Sequence, residues 1–260
     1  MDVNIEKQGA VWTVIIERPE KKNAVDRQTA DQLAAAFAAF EKDPDARVAV
    51  LWGRGDTFCA GADLGAVAEA SGERYNRLDP DMAQNGPMGP SRMRLEKPVI
   101  AAVSGHAVAG GLELACWCDV RVVEETAVFG VYCRRFGVPL IDGGTQRLPQ
   151  IIGLGRALDL ILTGRSVTAD EALQMGLANY VVQKGSARPE AEHLAEKIAA
   201  FPQICLRSDR RAVYDGLDRS FAEGMAREFQ LGLKVIQSGE TQAGARTFLN
   251  RGPEDPETRS

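Results

Sequence analysis

The apolar run at residues 11–17 is dense in β-branched side chains and closes at Arg18-Pro19, which predicts a buried strand followed by a turn. Between residues 28 and 41 the period lengthens. Leu33, Phe37 and Phe40 recur at helical spacing among alanines until Asp43-Pro44-Asp45 stops the pattern. A second strand pattern at residues 48–52 runs into Gly53-Arg54-Gly55-Asp56, so the chain opens strand, helix, strand. Residues 99–103 form another short apolar run, a helix is predicted from Gly110 to Cys118 after a glycine-rich turn, and residues 120–123 return to a strand. This alternation predicts an α/β core and leaves open whether it is a doubly wound sheet or a spiral of stacked turns.

After Gly143-Gly144 the pattern turns helical, at residues 145–151, 157–162 and 169–175 with Gly176 as C-cap, and a last short strand is expected at residues 178–182. Beyond Gly185 the chain reads as helix, with Leu194 and Ile198, then Phe221, Met225 and Phe229, spaced along helix faces. The expected organisation is a core over residues 1–185 and a helical subdomain over residues 186–260. Residues 71–90, rich in Gly, Pro, Asp and Asn, are expected to form a loop beside the pocket, and the charged tail at 251–260 a loose end.

At 260 residues, 45% hydrophobic and 26% charged, the chain has an ordinary globular composition and can bury a core without disulfide or metal. Its apolar runs fall far short of the roughly 20 residues of a membrane span, so no membrane association is expected. The N-terminus carries Asp2, Glu6 and Lys7 and lacks an apolar signal core, which points to a cytoplasmic location. A net charge of -5 argues against nucleic-acid binding. The five cysteines, Cys59, Cys116, Cys118, Cys133 and Cys205, read as reduced thiols, because His106 and His193, the only histidines, complete no metal cluster with them.

Three glycine-containing segments carry the candidate chemistry: residues 58–64 (Phe-Cys-Ala-Gly-Ala-Asp-Leu), 104–113 (Ser-Gly-His-Ala-Val-Ala-Gly-Gly-Leu-Glu) and 142–148 (Asp-Gly-Gly-Thr-Gln-Arg-Leu). A glycine-bordered turn lets backbone N–H groups face a cleft. Gly110-Gly111 also opens a helix, whose unpaired amides and dipole favour negative charge. An amide placed there can hold a developing oxyanion, and losing one such donor typically costs about 2.7–4 kcal/mol of barrier. Glu113, three residues beyond Gly110, falls on the same side of the helix and is the candidate acid/base, although a first-turn Glu also complements the dipole.

With residues 17–24 (Glu-Arg-Pro-Glu-Lys-Lys-Asn-Ala), Thr163-Gly164-Arg165, and Ala169-Asp170-Glu171-Ala172 followed by Gly176-Leu177, these segments resemble the crotonase superfamily of enoyl-CoA hydratases and isomerases over residues 11–183. The resemblance implies a crotonase-like ββα spiral core with a C-terminal α-helical trimerisation subdomain, assembled as a homotrimer or dimer of trimers. It implies an acyl-CoA substrate and no cofactor beyond the coenzyme A the substrate carries. It maps an oxyanion hole for a thioester enolate onto the Ala62 and Gly110 N–H groups and an acid/base onto Glu113. Ala60, Gly61, Asp63, Leu64, Gly65 and Gly111 would border substrate or CoA, with Arg18, Lys21 and Lys22 near the phosphates.

One departure bears on the reaction. Cys133 stands where many hydratases carry a second glutamate, and a thiol with a reference pKa of about 8.5 replaces a carboxylate poorly, so it is expected to line the pocket. Hydration of a 2-enoyl-CoA is the activity the resemblance implies first, double-bond isomerisation with one carboxylate the alternative, and a non-catalytic acyl-CoA binder the third reading. Asp142 either supplies the missing carboxylate or caps the helix that begins at Gly143. Arg134 and Arg135 either pair with an acidic group or lie at the surface. His106 is expected to be packed and satisfied, His193 structural.

Overall fold

The computed structural model describes residues 1–69 and 72–250; the start of the 71–90 segment and the tail at 251–260 lie outside the described residues. β1 (Val3–Gln8) and β2 (Val11–Ile16) form an antiparallel hairpin. β1 leaves no mark in the hydrophobic pattern because only Val3 of its six residues is buried. α1 (Arg27–Lys42) is capped by Asp26, whose carboxylate accepts the Thr29 N–H at 3.0 Å, and it buries Leu33, Phe37 and Phe40 as their spacing predicts. β3 (Val48–Gly53), α2 (Leu64–Ala68), β4 (Val99–Val103), β5 (His106–Val108), α3 (Gly110–Trp117), β6 (Val120–Glu124) and β7 (Val128–Gly130) follow. Then come α4 (Gly144–Ile152), α5 (Leu154–Thr163), β8 (Ser166–Thr168), α6 (Ala169–Met175) and β9 (Tyr180–Val182).

The strands sort into two sheets, one in the order β1-β2-β3-β4-β6-β9 and the other β5-β7-β8. In the larger sheet every pair beyond the first hairpin is parallel, and each strand is laid beside its predecessor. The order never reverses at a switch point, so the doubly wound alternative is excluded and the core is a spiral. After β4 and again after β6 the chain passes to the smaller sheet within a few residues, so each of these turns gives a strand to both sheets. The pairings Cys59↔Ala107, Ala107↔Phe129 and Phe129↔Val167 prolong the smaller sheet into the 58–62 segment. That pairing sets two of the glycine turns side by side.

Phe37, Phe40, Phe58 and Phe129 are fully buried, and Phe37 meets Trp117 edge-on with centroids 4.8 Å apart, which joins α1 to α3. Buried Lys97 donates to the Phe40 and Asp43 carbonyls at 2.8 and 2.5 Å, satisfying groups the end of α1 leaves unpaired. The chain divides into two compact units after Ile198, within α7 (Ala187–Ala200). The second unit holds α8 (Gln203–Gly216), α9 (Phe221–Ser238) and α10 (Glu240–Asn250), with a Ser220/Glu223 capping box opening α9. Phe221, Met225 and Phe229 share a face of α9 and are 86%, 47% and 71% exposed. No helix among the described residues is long and apolar enough to cross a membrane.

Candidate active site

The smaller sheet brings two turns that carry unspent backbone amides side by side. Gly61 gives its carbonyl to the Val25 N–H at 2.8 Å, and Asp63 donates to the Val25 carbonyl at 3.0 Å. In a planar trans peptide the N–H points opposite the C=O, so the Ala62 N–H is turned away from Val25. On the facing turn, Ala109 donates to the Gly130 carbonyl at 2.9 Å and accepts from Glu113 N–H at 3.2 Å, leaving the Gly110 N–H at the open start of α3. Neither the Ala62 nor the Gly110 N–H meets an acceptor among the described residues. Gly61, at φ +95°, permits the approach: a Cβ there would come within 2.9 Å of both the Gly110 nitrogen and the Ala109 methyl.

Ala109 holds φ +53° and ψ -124°, a backbone state that a residue bearing a Cβ adopts only under strain of about 1–3 kcal/mol. Both neighbouring hydrogen bonds enforce it. Ala109→Gly is therefore expected to raise stability by about 1 kcal/mol after the entropic cost of glycine, read as a higher denaturation midpoint. A lower midpoint would mean that the methyl contributes more by packing than it costs in strain.

Glu113 lies one turn into α3, is 2% exposed, and its Oε1 accepts from the Asp142 and Gly144 N–H groups at 2.9 and 2.8 Å. Burial, and next the nearby Asp142 carboxylate, push its pKa up to about 7, against the pull of the two N–H donors. Gly144 must lack a side chain for Glu113 to sit there, since a Cβ would fall 2.9 Å from both Cγ and Oε1. Gly144→Ala should displace the carboxylate at small cost in stability, because the clashing atoms end a flexible side chain. The expected loss is about 10²-fold in turnover with the melting temperature nearly unchanged; full activity would dissociate the position of Glu113 from the chemistry.

Asp142 does not cap α4. Its N-cap is Gly143, at φ +95° with no side-chain cap, and the Asp142 Oδ1 instead accepts the Met88 N–H at 2.9 Å and the Ser91 hydroxyl. Cys133 is buried on a 3-10 turn, its thiol pKa raised first by burial and next by the Glu113 charge. Arg134 and Arg135 spend donors on the Ile161 and Gly164 carbonyls, the second guanidinium also lying 3.9 Å from the Tyr132 ring centroid. The expectation that Arg18 meets CoA phosphates is overturned: it is 4% exposed and held by Asp26 at 3.3 Å and Asp63 at 2.9 Å. Asp63 also caps α2 through the Gly65 N–H, while Leu64, Gly65, Lys21 and Lys22 are exposed.

His106 is exposed and not packed, as is His193. Cys59, Cys116 and Cys118 are buried free thiols, and burial pushes the first two up to about 12 and about 11. Among the described residues no group of His, Cys, Asp or Glu could hold a metal ion. Three members of the site, Met88, Ser91 and Arg147, escape sequence reasoning. Met88 belongs to the aperiodic 71–90 segment, Ser91 follows it in the 3-10 turn Pro90–Arg92, and Arg147, read only as part of a motif, donates to the Asp142 and Ser91 carbonyls at 2.9 and 2.7 Å. Met88 is 1% exposed and covers Gly110, with its sulfur 2.7 Å from where a Gly110 Cβ would lie.

Unspent amides on adjoining turns, with a buried, protonatable carboxyl one helical turn beyond the second, are groups that can stabilise an enolate and move a proton. An enoyl-CoA hydratase of Mycobacterium tuberculosis is 34% identical over 257 residues, 96% of this chain and 94% of its own. The crotonyl-CoA hydratase of Syntrophomonas wolfei is 32% identical over 255 residues, 96% of this chain and 95% of its own. The crystal structure of an enoyl-CoA hydratase from Mycobacterium marinum superposes with a TM-score of 0.88 at 30% identity, covering 97% of each chain. The enoyl-CoA hydratase/isomerase family profile matches residues 6–257, and the chain, with its crotonase fold, belongs to that family of acyl-CoA-processing enzymes.

Proposed function

We propose that the protein hydrates a 2-enoyl-CoA thioester reversibly. Water oxygen bonds to Cβ as its proton passes to Glu113, and the π electrons move onto the thioester as an enolate held by the Ala62 and Gly110 N–H groups. Glu113 then returns the proton to Cα as the carbonyl re-forms, giving a 3-hydroxyacyl-CoA. The observation that carries the reading is the Glu113 carboxyl, buried beside the Gly110 turn with a pKa near 7, where one group can both take and give a proton. No cofactor beyond the substrate's own coenzyme A enters these steps.

Isomerisation between 3-enoyl and 2-enoyl thioesters is the second reading, favoured by the thiol of Cys133 standing where many hydratases carry a second glutamate. Crotonyl-CoA should lose its conjugated-thioester absorbance under hydration, whereas a 3-enoyl-CoA should gain it under isomerisation. No change with either would sink both and leave an acyl-CoA binder. Cys133→Ala should alter turnover by less than about threefold, because a thiol raised by burial is a poor proton carrier at neutral pH; a large loss would make the thiol a participant.

The exposed apolar face of α9 supports assembly as a homotrimer or dimer of trimers, which sedimentation would test. Buried free thiols accord with a reducing, cytoplasmic setting.

A further inference from the structure

Asp142 engages four partners through its N–H, its Oδ1 and its carbonyl. Its N–H donates to Glu113 Oε1 at 2.9 Å, its Oδ1 takes the Met88 N–H at 2.9 Å and the Ser91 hydroxyl, and its carbonyl accepts from Arg147 at 2.9 Å. Arg147 spans the same gap from the other side, donating to the Ser91 carbonyl at 2.7 Å. The residues joined belong to separate segments, the 86–92 loop with its 3-10 turn Pro90–Arg92 and the 142–147 segment that seats Glu113. Gly86 makes room for the joint, since a Cβ there would overlap the Ser91 hydroxyl and lie 2.9 Å from Asp142 Oδ1. The loop is further pinned by reciprocal Gly86/Gly89 backbone bonds at 3.0 and 2.8 Å and by Asn76, which donates to the Pro87 carbonyl at 2.9 Å.

We propose that Asp142 is a positioning residue: with Ser91 and Arg147 it clasps the 86–92 loop to the Glu113 seat, fixing Met88 over the Gly110 turn and the carboxylate below it. An oxygen that already takes two donors is held in one rotamer, which suits a strut and hinders proton delivery. The clasp deepens the proposed enolate chemistry and rests on it for its kinetic consequence, though its geometry does not.

Two readouts separate the clasp from that chemistry. Hydrogen exchange at the Met88 amide is independent of turnover: it should be protected in the wild type and in Asp142→Asn, whose Oδ1 can still accept, and quicken about tenfold or more in Asp142→Ala. Ser91→Ala should quicken it by a smaller factor, because it removes the hydroxyl and leaves the carboxylate. Kinetics with crotonyl-CoA should show kcat/KM falling about 10- to 100-fold in Asp142→Ala, with Asp142→Asn restoring most of it.

Asp142→Asn should also move the acid limb of the pH profile to lower pH. Among the described residues the charged or titratable groups coupled electrostatically to Glu113 are Asp142, Arg147, Cys133 and Cys116, and only the first is altered. Unchanged Met88 exchange in Asp142→Ala would overturn the clasp whatever the activity. Loss of kcat by more than about 10³-fold in Asp142→Asn, with acetoacetyl-CoA still bound as by wild type, would make Asp142 a proton carrier instead. A wild type inert on crotonyl-CoA but with the expected exchange pattern would sink the reaction and keep the clasp.

Discussion

Glu113→Gln is expected to lower kcat about 10³-fold while leaving acyl-CoA binding within about threefold of wild type. The amide oxygen of glutamine can accept the same Asp142 and Gly144 N–H groups at 2.9 and 2.8 Å, so the side chain keeps its seat and loses only the ability to exchange a proton. The substitution should also separate chemistry from stability. Burial pushes the Glu113 carboxyl up to about 7 in the folded protein from the ordinary glutamate value of 4.5, so its ionisation penalises folding. Below about pH 4.5 the carboxyl is neutral in both states and costs nothing; the penalty grows as pH rises and is complete above about 7. At pH 8 the glutamine variant should be more stable than wild type by about 3 kcal/mol, a gain that shrinks to nothing under acid. Melting curves across pH read this directly, and a gap that does not change with pH would remove the case for a raised carboxyl.

That trade places the stability cost where the reaction needs it. A carboxylate whose pKa lies near 7 takes a proton from water far more readily than one near 4.5 and can still give it back at neutral pH, and the protein obtains it by burying Glu113 near a second carboxylate. The two N–H bonds from Asp142 and Gly144 pull the other way. They keep the group oriented without fully restoring its acidity.

The parts of the site legible in the sequence are those that depend on backbone or on helix period. Gly110-Gly111 and Glu113 could be placed because a helix start fixes which amides are free and which side chain shares their side. Leu33, Phe37 and Phe40 announced α1 for the same reason. What could not be read is contact between distant segments. Arg18 looked like a free cation because nothing local reveals that Asp26 and Asp63 converge on it. Asp142 beside Gly143 has the local look of a helix cap, but a hydroxyl 51 residues away wins its carboxylate. The spiral itself became distinguishable only through strand order, since its alternation of strands and helices also fits a doubly wound sheet.

The second large effect is expected from Gly111→Ala, which should destabilise the fold by at least about 3 kcal/mol and abolish enolate stabilisation together. A Cβ at Gly111 would lie 2.0 Å from the Cys59 carbonyl oxygen and 2.7 Å from its carbon, and backbone cannot swing aside as a side chain can. That carbonyl accepts the Val108 N–H at 3.1 Å, within the Cys59↔Ala107 pairing that sets the Ala62 turn beside the Gly110 turn. Relief of the clash therefore means parting the two turns that carry the amide pair. Gly110→Ala supplies the contrast, because its new methyl would meet the Met88 sulfur at 2.7 Å, the end of a flexible side chain. It should lose activity with a small shift in melting temperature, whereas Gly111→Ala loses both. If Gly111→Ala melted with the wild type and still bound acetoacetyl-CoA as its enolate, the close approach of Cys59 and Gly111 would not be what aligns the pair. The burden would then fall on Ala109, whose strained backbone would have to fix the Gly110 N–H without support from the neighbouring turn.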